Sequence, residues 1–172
     1  MKNRYDMEKL KYNQHNAFRN LEENGIKVCF DENEQKLLKL IFTPIFLALR
    51  QEIFTSSISL VYTYRQSEQT EEFAAADGLC NISAEYRTVS IGISVEALHS
   101  DPDYATMVLI HEITHSLCKK GTDPDFFMRM DRLLFKYNRL TKSKIRNDYS
   151  EKGVRQIAFD NRSDMIRIIP DE

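Results

Sequence analysis

The residues best placed to do chemistry in this chain are His111, Glu112 and His115, in the run His111-Glu112-Ile113-Thr114-His115. On an α-helix, residues four apart lie one above the other on one face. Both imidazoles can then bind one zinc ion, while Glu112, one residue round from His111, reaches a metal-activated water as general base. Histidine occurs only four times in 172 residues, so finding two of them at this spacing around a glutamate is a specific signal. The competing explanation is a core helix whose histidines hydrogen-bond to their neighbours.

The surrounding residues supply the helix that the pattern needs. Ser100 or Asp101 can cap it, Pro102 suits its first position, and Asp103 complements the N-terminal dipole. Lys119 and Lys120 fall in the last turn, with Gly121 placed as the residue beyond the cap. Val108, Leu109, Ile110, Ile113 and Leu117 form a broad apolar surface, which predicts a largely buried helix.

Other elements follow from period and punctuation. Residues 2–24 read as a helix stopped by Gly25, with His15 on its surface. Asp31 and Glu34 have the spacing of a capping box for a helix through Leu37, Leu38, Ile41, Ile45, Phe46 and Leu49, which Pro44 should kink or divide. Strands are predicted at 57–64, 75–84 and 88–94. In the third, Val89, Ile91 and Ile93 alternate with Ser90, Gly92 and Ser94, the pattern of a sheet with one polar face. The small residues leave room for a bound peptide, or mark a crowded edge strand. His99, in the loop before the zinc helix, reads as a surface residue. Asp123 as cap and Pro124 at the first position would open a further helix that buries Phe126, Met130, Leu133, Leu134 and Tyr137. Short strands are expected at 154–159 and 165–169.

Composition narrows the function classes. A length of 172 residues suits one domain spanning 1–172, with a core at about 57–137, a helical part at 1–54 and an extension at 141–172. A formal net charge of −2 gives no general reason to expect a nucleic-acid or anionic-membrane partner, and Lys142, Lys144 and Arg146 read as a solvated loop. The longest apolar run, near 37–49, is too interrupted to span a bilayer. Three widely spaced cysteines (Cys29, Cys80 and Cys118) make neither a disulfide framework nor a paired zinc motif, so a reducing, cytoplasmic setting is expected.

Taken together, Gly78-Leu-Cys80, Thr88-Val-Ser-Ile-Gly-Ile-Ser94, Val108-Leu-Ile-His-Glu-Ile-Thr-His-Ser-Leu117 and Asp123-Pro-Asp-Phe126 resemble the compact HExxH metallopeptidases of the minigluzincin and SprT-like type. The resemblance covers residues 57–137 and is strongest over the last thirty. It implies a small three-stranded sheet beside the HExxH helix; with the helices read above, the expected fold is α+β, a small, mostly antiparallel three-stranded sheet packed against the HExxH helix, with N-terminal helices and a following helix. It also implies that the outermost strand, matched here to 88–94, positions substrate.

At one point the chain departs from that pattern. Where SprT-like sequences commonly carry a third histidine four residues before the phenylalanine, this chain has Thr122, a poor zinc ligand. Sites with two histidines and one carboxylate exist, so Asp123 is the expected third ligand, with Asp125 and Cys118 as further candidates. The expected activity is zinc-dependent hydrolysis of protein or peptide, with His111, His115 and Asp123 on the metal and Glu112 moving the proton. Tyr86, Tyr104, Tyr137 and Tyr149 are candidate oxyanion donors. The alternative is an inactive zincin-fold scaffold with a degraded or structural metal site. A DNA-associated protease follows from analogy alone.

Overall fold

The computed structural model describes the backbone of residues 4–118, 125–147, 154–159 and 164–170, and the side chains of residues 13–118 and 125–147. Helix α1 (Arg4–Glu23) ends at Gly25, whose φ of 76° is the left-handed conformation that suits glycine. The amides of Gly25 and Ile26 fold back onto the carbonyls of Glu22 and Leu21 at 3.0 and 2.9 Å. They thereby close the helix end, and Ile26 joins Leu21 in a small apolar cluster.

Helix α2 (Glu32–Ala48) is capped by Asp31, whose Oδ1 accepts from the amides of Asn33 and Glu34 at 2.9 and 3.4 Å. The carboxylate of Glu34 bonds His99, which is a surface residue. Pro44 does not divide the helix. The carbonyl that it leaves without an amide belongs to Leu40, which is exposed to water. The break falls at Leu49 (φ −113°, ψ 28°), after which α3 (Arg50–Ser56) begins.

The fold is α+β, as expected. Strand β1 (Leu60–Tyr64) pairs in parallel with β3 (Thr88–Ser94), and β3 pairs antiparallel with β2 (Gly78–Ser83). Two further strands, β4 (Val154–Phe159) and β5 (Asp164–Pro170), form an antiparallel hairpin that joins the other side of β2. The three-stranded sheet expected beside the zinc helix is thus widened to five, in the order β1-β3-β2-β5-β4.

The polar face read into β3 is a correction. β3 is central, with both ladders filled, and Ser90, Gly92 and Ser94 are all buried. On that side α1 brings Ala17 and Leu21 against Leu60, Tyr62, Tyr64 and Leu79. The space above Gly92 holds the ring of Tyr62, so no peptide backbone can enter: a Cβ built there would lie 2.5 Å from Tyr62 Cζ. Ser94 turns its hydroxyl to local use, accepting from the Ala97 amide to cap α4 (Val95–Leu98). Gly92→Ala is expected to cost about 1–3 kcal/mol by overpacking, read as a lower urea midpoint at unchanged slope.

The opposite face of the sheet carries α5 (Pro102–Leu117). Asp101 Oδ1 caps it through the amides of Asp103 and Tyr104 at 2.7 and 3.4 Å, and Pro102 opens its first turn. Every residue from Ala105 to His115 is buried, because β2 and β3 lie beneath the helix and α2, α3 and α6 surround it. Helix α6 (Phe126–Thr141) buries Phe126, Met130, Leu133, Leu134 and Tyr137, the predicted face. It starts later than the Asp123–Pro124 signal suggests, with Asp125 in the cap position. Among the described residues no helix is long and apolar enough to cross a membrane.

Candidate metal centre

Helix α5 delivers the two histidines as the four-residue spacing requires. The Nε2 atoms of His111 and His115 face each other at 2.9 Å, with ring centroids 4.7 Å apart. Both rings are enclosed, at 3 and 0% exposure. Desolvation pushes both imidazoles below the ordinary histidine range, His115 to about 3. They are therefore neutral at physiological pH, the form that ligates metal.

Phe126, the first residue of α6, covers the pair. Its ring is stacked on His115 at 4.2 Å and tilted against His111 at 4.6 Å. The sequence marked Phe126 only as a helix start and a core residue. Its place against the imidazoles depends on α6 packing across α5, which local pattern does not encode.

Glu112 points to the sheet. It is fully buried, and neither carboxyl oxygen has a hydrogen-bond partner among the described residues. Burial without a partner pushes its carboxyl well above the ordinary range. The side chain fits because β2 begins with glycine: a Cβ on Gly78 would lie 2.7 Å from Glu112 Oε1 and 2.8 Å from Val108 Cγ1. A glycine inside a predicted strand is a known sign of close approach, and this was the available signal for a role the sequence reading did not assign.

Asp77, just before Gly78, fixes the register between helix and strand. Its Oδ2 accepts from the Tyr104 hydroxyl of α5 at 2.6 Å, its Oδ1 accepts from Gln66 Nε2 at 3.1 Å, and its carbonyl accepts from the Ser94 amide at 2.9 Å. Tyr104 thereby ties α5 to the start of β2. The Tyr86 hydroxyl bonds the Glu23 carboxylate, and Tyr137 is a buried residue of α6. Tyr149 lies outside the described residues.

Asp123, the expected third ligand, and Thr122 also lie outside the described residues. The two further candidates lie at the ends of α5 and α6. Asp125 is an exposed cap residue of α6. Cys118 caps the end of α5, its amide still bonded to the carbonyls of Thr114 and His115, and its side chain is buried in the main core cluster. Among the described residues no group of three histidine, cysteine or acidic side chains is arranged to hold a metal.

The donors present nevertheless suit zinc. Two neutral imidazoles whose Nε2 atoms converge can share one proton between them or turn both lone pairs onto one cation. A buried carboxylate beside them is costly unless a positive charge compensates it, and a bound cation reverses the upward shift of Glu112. Compared with models of protein families, with curated proteins and with solved structures, the chain matches none.

Proposed function

We infer that this protein is a zinc-dependent metallopeptidase acting on protein or peptide in the cytoplasm. The observation that carries the reading is Glu112: a fully buried carboxylate with no hydrogen-bond partner among the described residues, next to two converging imidazoles. A purely structural helix gains nothing from such a group, which costs about 1–3 kcal/mol to leave unsatisfied. Unpaired buried polar groups of this kind concentrate at functional sites.

His111 and His115 would hold the metal, with Asp123 as the proposed third ligand. A zinc ion there supplies Lewis acidity, polarising the scissile carbonyl and making water a better nucleophile at neutral pH. Glu112, kept in place over Gly78, accepts the proton that the attacking water loses and passes it to the departing amine. Phe126 and the apolar wall around α5 keep bulk water from competing for that proton. No membrane or nucleic-acid partner is part of this reading.

One observation favours a second reading. Every residue of the motif that would touch the metal is enclosed, and Phe126 lies across both imidazoles. Structural zinc sites are closed, whereas catalytic ones keep an open position. On that ground the alternative is a zincin-fold scaffold whose metal serves stability only.

Metal content tests the shared premise. Protein purified without added metal is expected to carry about one zinc per chain by mass spectrometry, and His115→Ala to lose it. Absence of zinc after loading and dialysis would sink both readings. Zinc present without peptide cleavage would leave the scaffold.

A further inference from the structure

A cavity of about 300 Å³ opens beside β1, on the side of the sheet remote from the motif. β3 separates β1 from β2, the strand whose Gly78 touches Glu112. The cavity forms where the two apolar clusters of the protein meet. Leu60 and Tyr62 belong to the cluster under α1, and Leu38 of α2 belongs to the cluster around α5. Residues 28–30 close the space between them. The Cys29 amide donates to the Thr63 carbonyl at 2.8 Å, and the Thr63 hydroxyl donates to the Cys29 carbonyl at 3.4 Å. This bridge pins the segment to β1 and holds Phe30 at the mouth, 68% exposed, with its ring 5.6 Å from that of Phe18.

The lining has two chemical parts. Its body is apolar and rich in rings, with Phe18, Phe30 and Phe42 around Leu38 and Leu60. Such walls suit a flat aromatic group, which gains edge and offset ring contacts beyond the area it buries. Small-molecule sites run from about 300 to 1,000 Å³ with a few placed polar groups, so this one takes a compact ligand. Its rim carries Gln35 and Lys39, one turn apart on α2 and both exposed.

Among the described lining residues Lys39 alone carries a charge. The acids at the start of α2 are already engaged. Asp31 accepts from two helix amides and lies 3.7 Å from Arg65, Glu32 pairs with Lys36, and Glu34 bonds His99. Lys39 has no carboxylate partner among the described residues. The rim thus presents an uncompensated positive charge above an aromatic cavity.

We propose that this cavity is a binding site for a small aromatic carboxylate. The ring lies among Phe18, Phe30, Phe42 and Leu60, and the carboxylate meets the Lys39 ammonium with the Gln35 amide beside it. The site owes nothing to the motif and stands or falls independently of the peptidase reading.

The test uses the full-length chain and three probes of one shape: naphthalene-2-carboxylate, the neutral naphthalene-2-methanol and the cationic naphthalene-2-methylammonium. The chain contains no tryptophan, so naphthalene fluorescence reports binding directly. The carboxylate is expected to bind roughly three- to tenfold more tightly than the alcohol, with the ammonium weakest. Added salt should shrink that preference. Lys39→Met should bring the carboxylate to the level of the alcohol and leave the alcohol unchanged. Val28→Phe fills the cavity and should weaken all three probes about tenfold or more. Both positions lie across the sheet from the motif, so these variants also separate the cavity from carboxylate binding at a metal. No binding, equal affinity for the three probes, or carboxylate binding indifferent to either variant would overturn the inference. If Val28→Phe fails to fold, Phe30→Ala decides in its place, because Phe30 is exposed and its removal takes away one wall; unchanged affinity there would be equally fatal.

Discussion

Glu112→Gln is expected to lower peptide turnover by about 10²–10⁴-fold, the usual contribution of a general base, while zinc stoichiometry stays unchanged. The amide has nearly the shape of the carboxyl and reaches the same place over Gly78, but it cannot take up a proton at neutral pH. The complementary variant is Glu112→Met, which replaces a buried group without hydrogen bonds by an apolar one of similar length. In chelator it is expected to stabilise the protein by about 1–3 kcal/mol, read by urea denaturation. Activity lost together with stability gained would identify Glu112 as a group kept for chemistry. Wild-type turnover in the glutamine variant would remove the assignment. A large loss of stability in the methionine variant would show that the carboxylate has a structural partner.

The second large effect is expected at Gly78, on a different element. Gly78→Ala places a methyl group 2.7 Å from Glu112 Oε1, 2.8 Å from Val108 Cγ1 and 3.0 Å from Glu112 Cγ. Val108 lies in the buried core, and the helix is confined by α2, α3 and α6. The end of the glutamate side chain is what can move. The expected cost is about 1–3 kcal/mol of stability from overpacking, with turnover falling toward that of Glu112→Gln as the carboxylate is displaced. Zinc content should be retained, because the added methyl group crowds Glu112 and Val108 first. Measuring stability, zinc and turnover on the same preparation separates displacement from unfolding. Full turnover in Gly78→Ala would mean that β2 does not set the position of the base.

Both expectations rest on a contact that links a strand glycine to a helix glutamate thirty-four positions later. The parts of the site were legible to different degrees. His111 and His115 were, because a spacing of four on a helix forces their side chains to one face whatever surrounds them, and their Nε2 atoms do converge. The caps were legible for the same local reason. Asp31 and Asp101 bond amides two and three residues on, and Gly25 takes the left-handed conformation that ends α1. Strand β3 was read with its observed bounds, because period-two alternation is a property of the strand itself.

What failed is instructive in the same terms. Ser90, Gly92 and Ser94 were read as a polar face. Alternation separates two faces, but it does not say which one water sees. α1 covers that side, and the small residues admit Tyr62 and the helix. Pro44 marks a missing amide, but whether a helix breaks there depends on whether the orphaned carbonyl can reach water, and Leu40 is exposed.

By itself, then, the sequence determined what depends on neighbours along the chain: the helix that presents His111 and His115 on one side, its cap, the strands and the α+β class. Tertiary structure alone decided what depends on distant segments meeting. It set Gly78 beneath Glu112, Phe126 across the imidazoles and β3 in the middle of the sheet, and it gave the β2 edge to the C-terminal hairpin. The physical reason is that periodicity and capping are backbone geometry, available to any residue in its own helix or strand. Burial, close approach and strand order are settled by which surfaces find each other when the whole chain collapses.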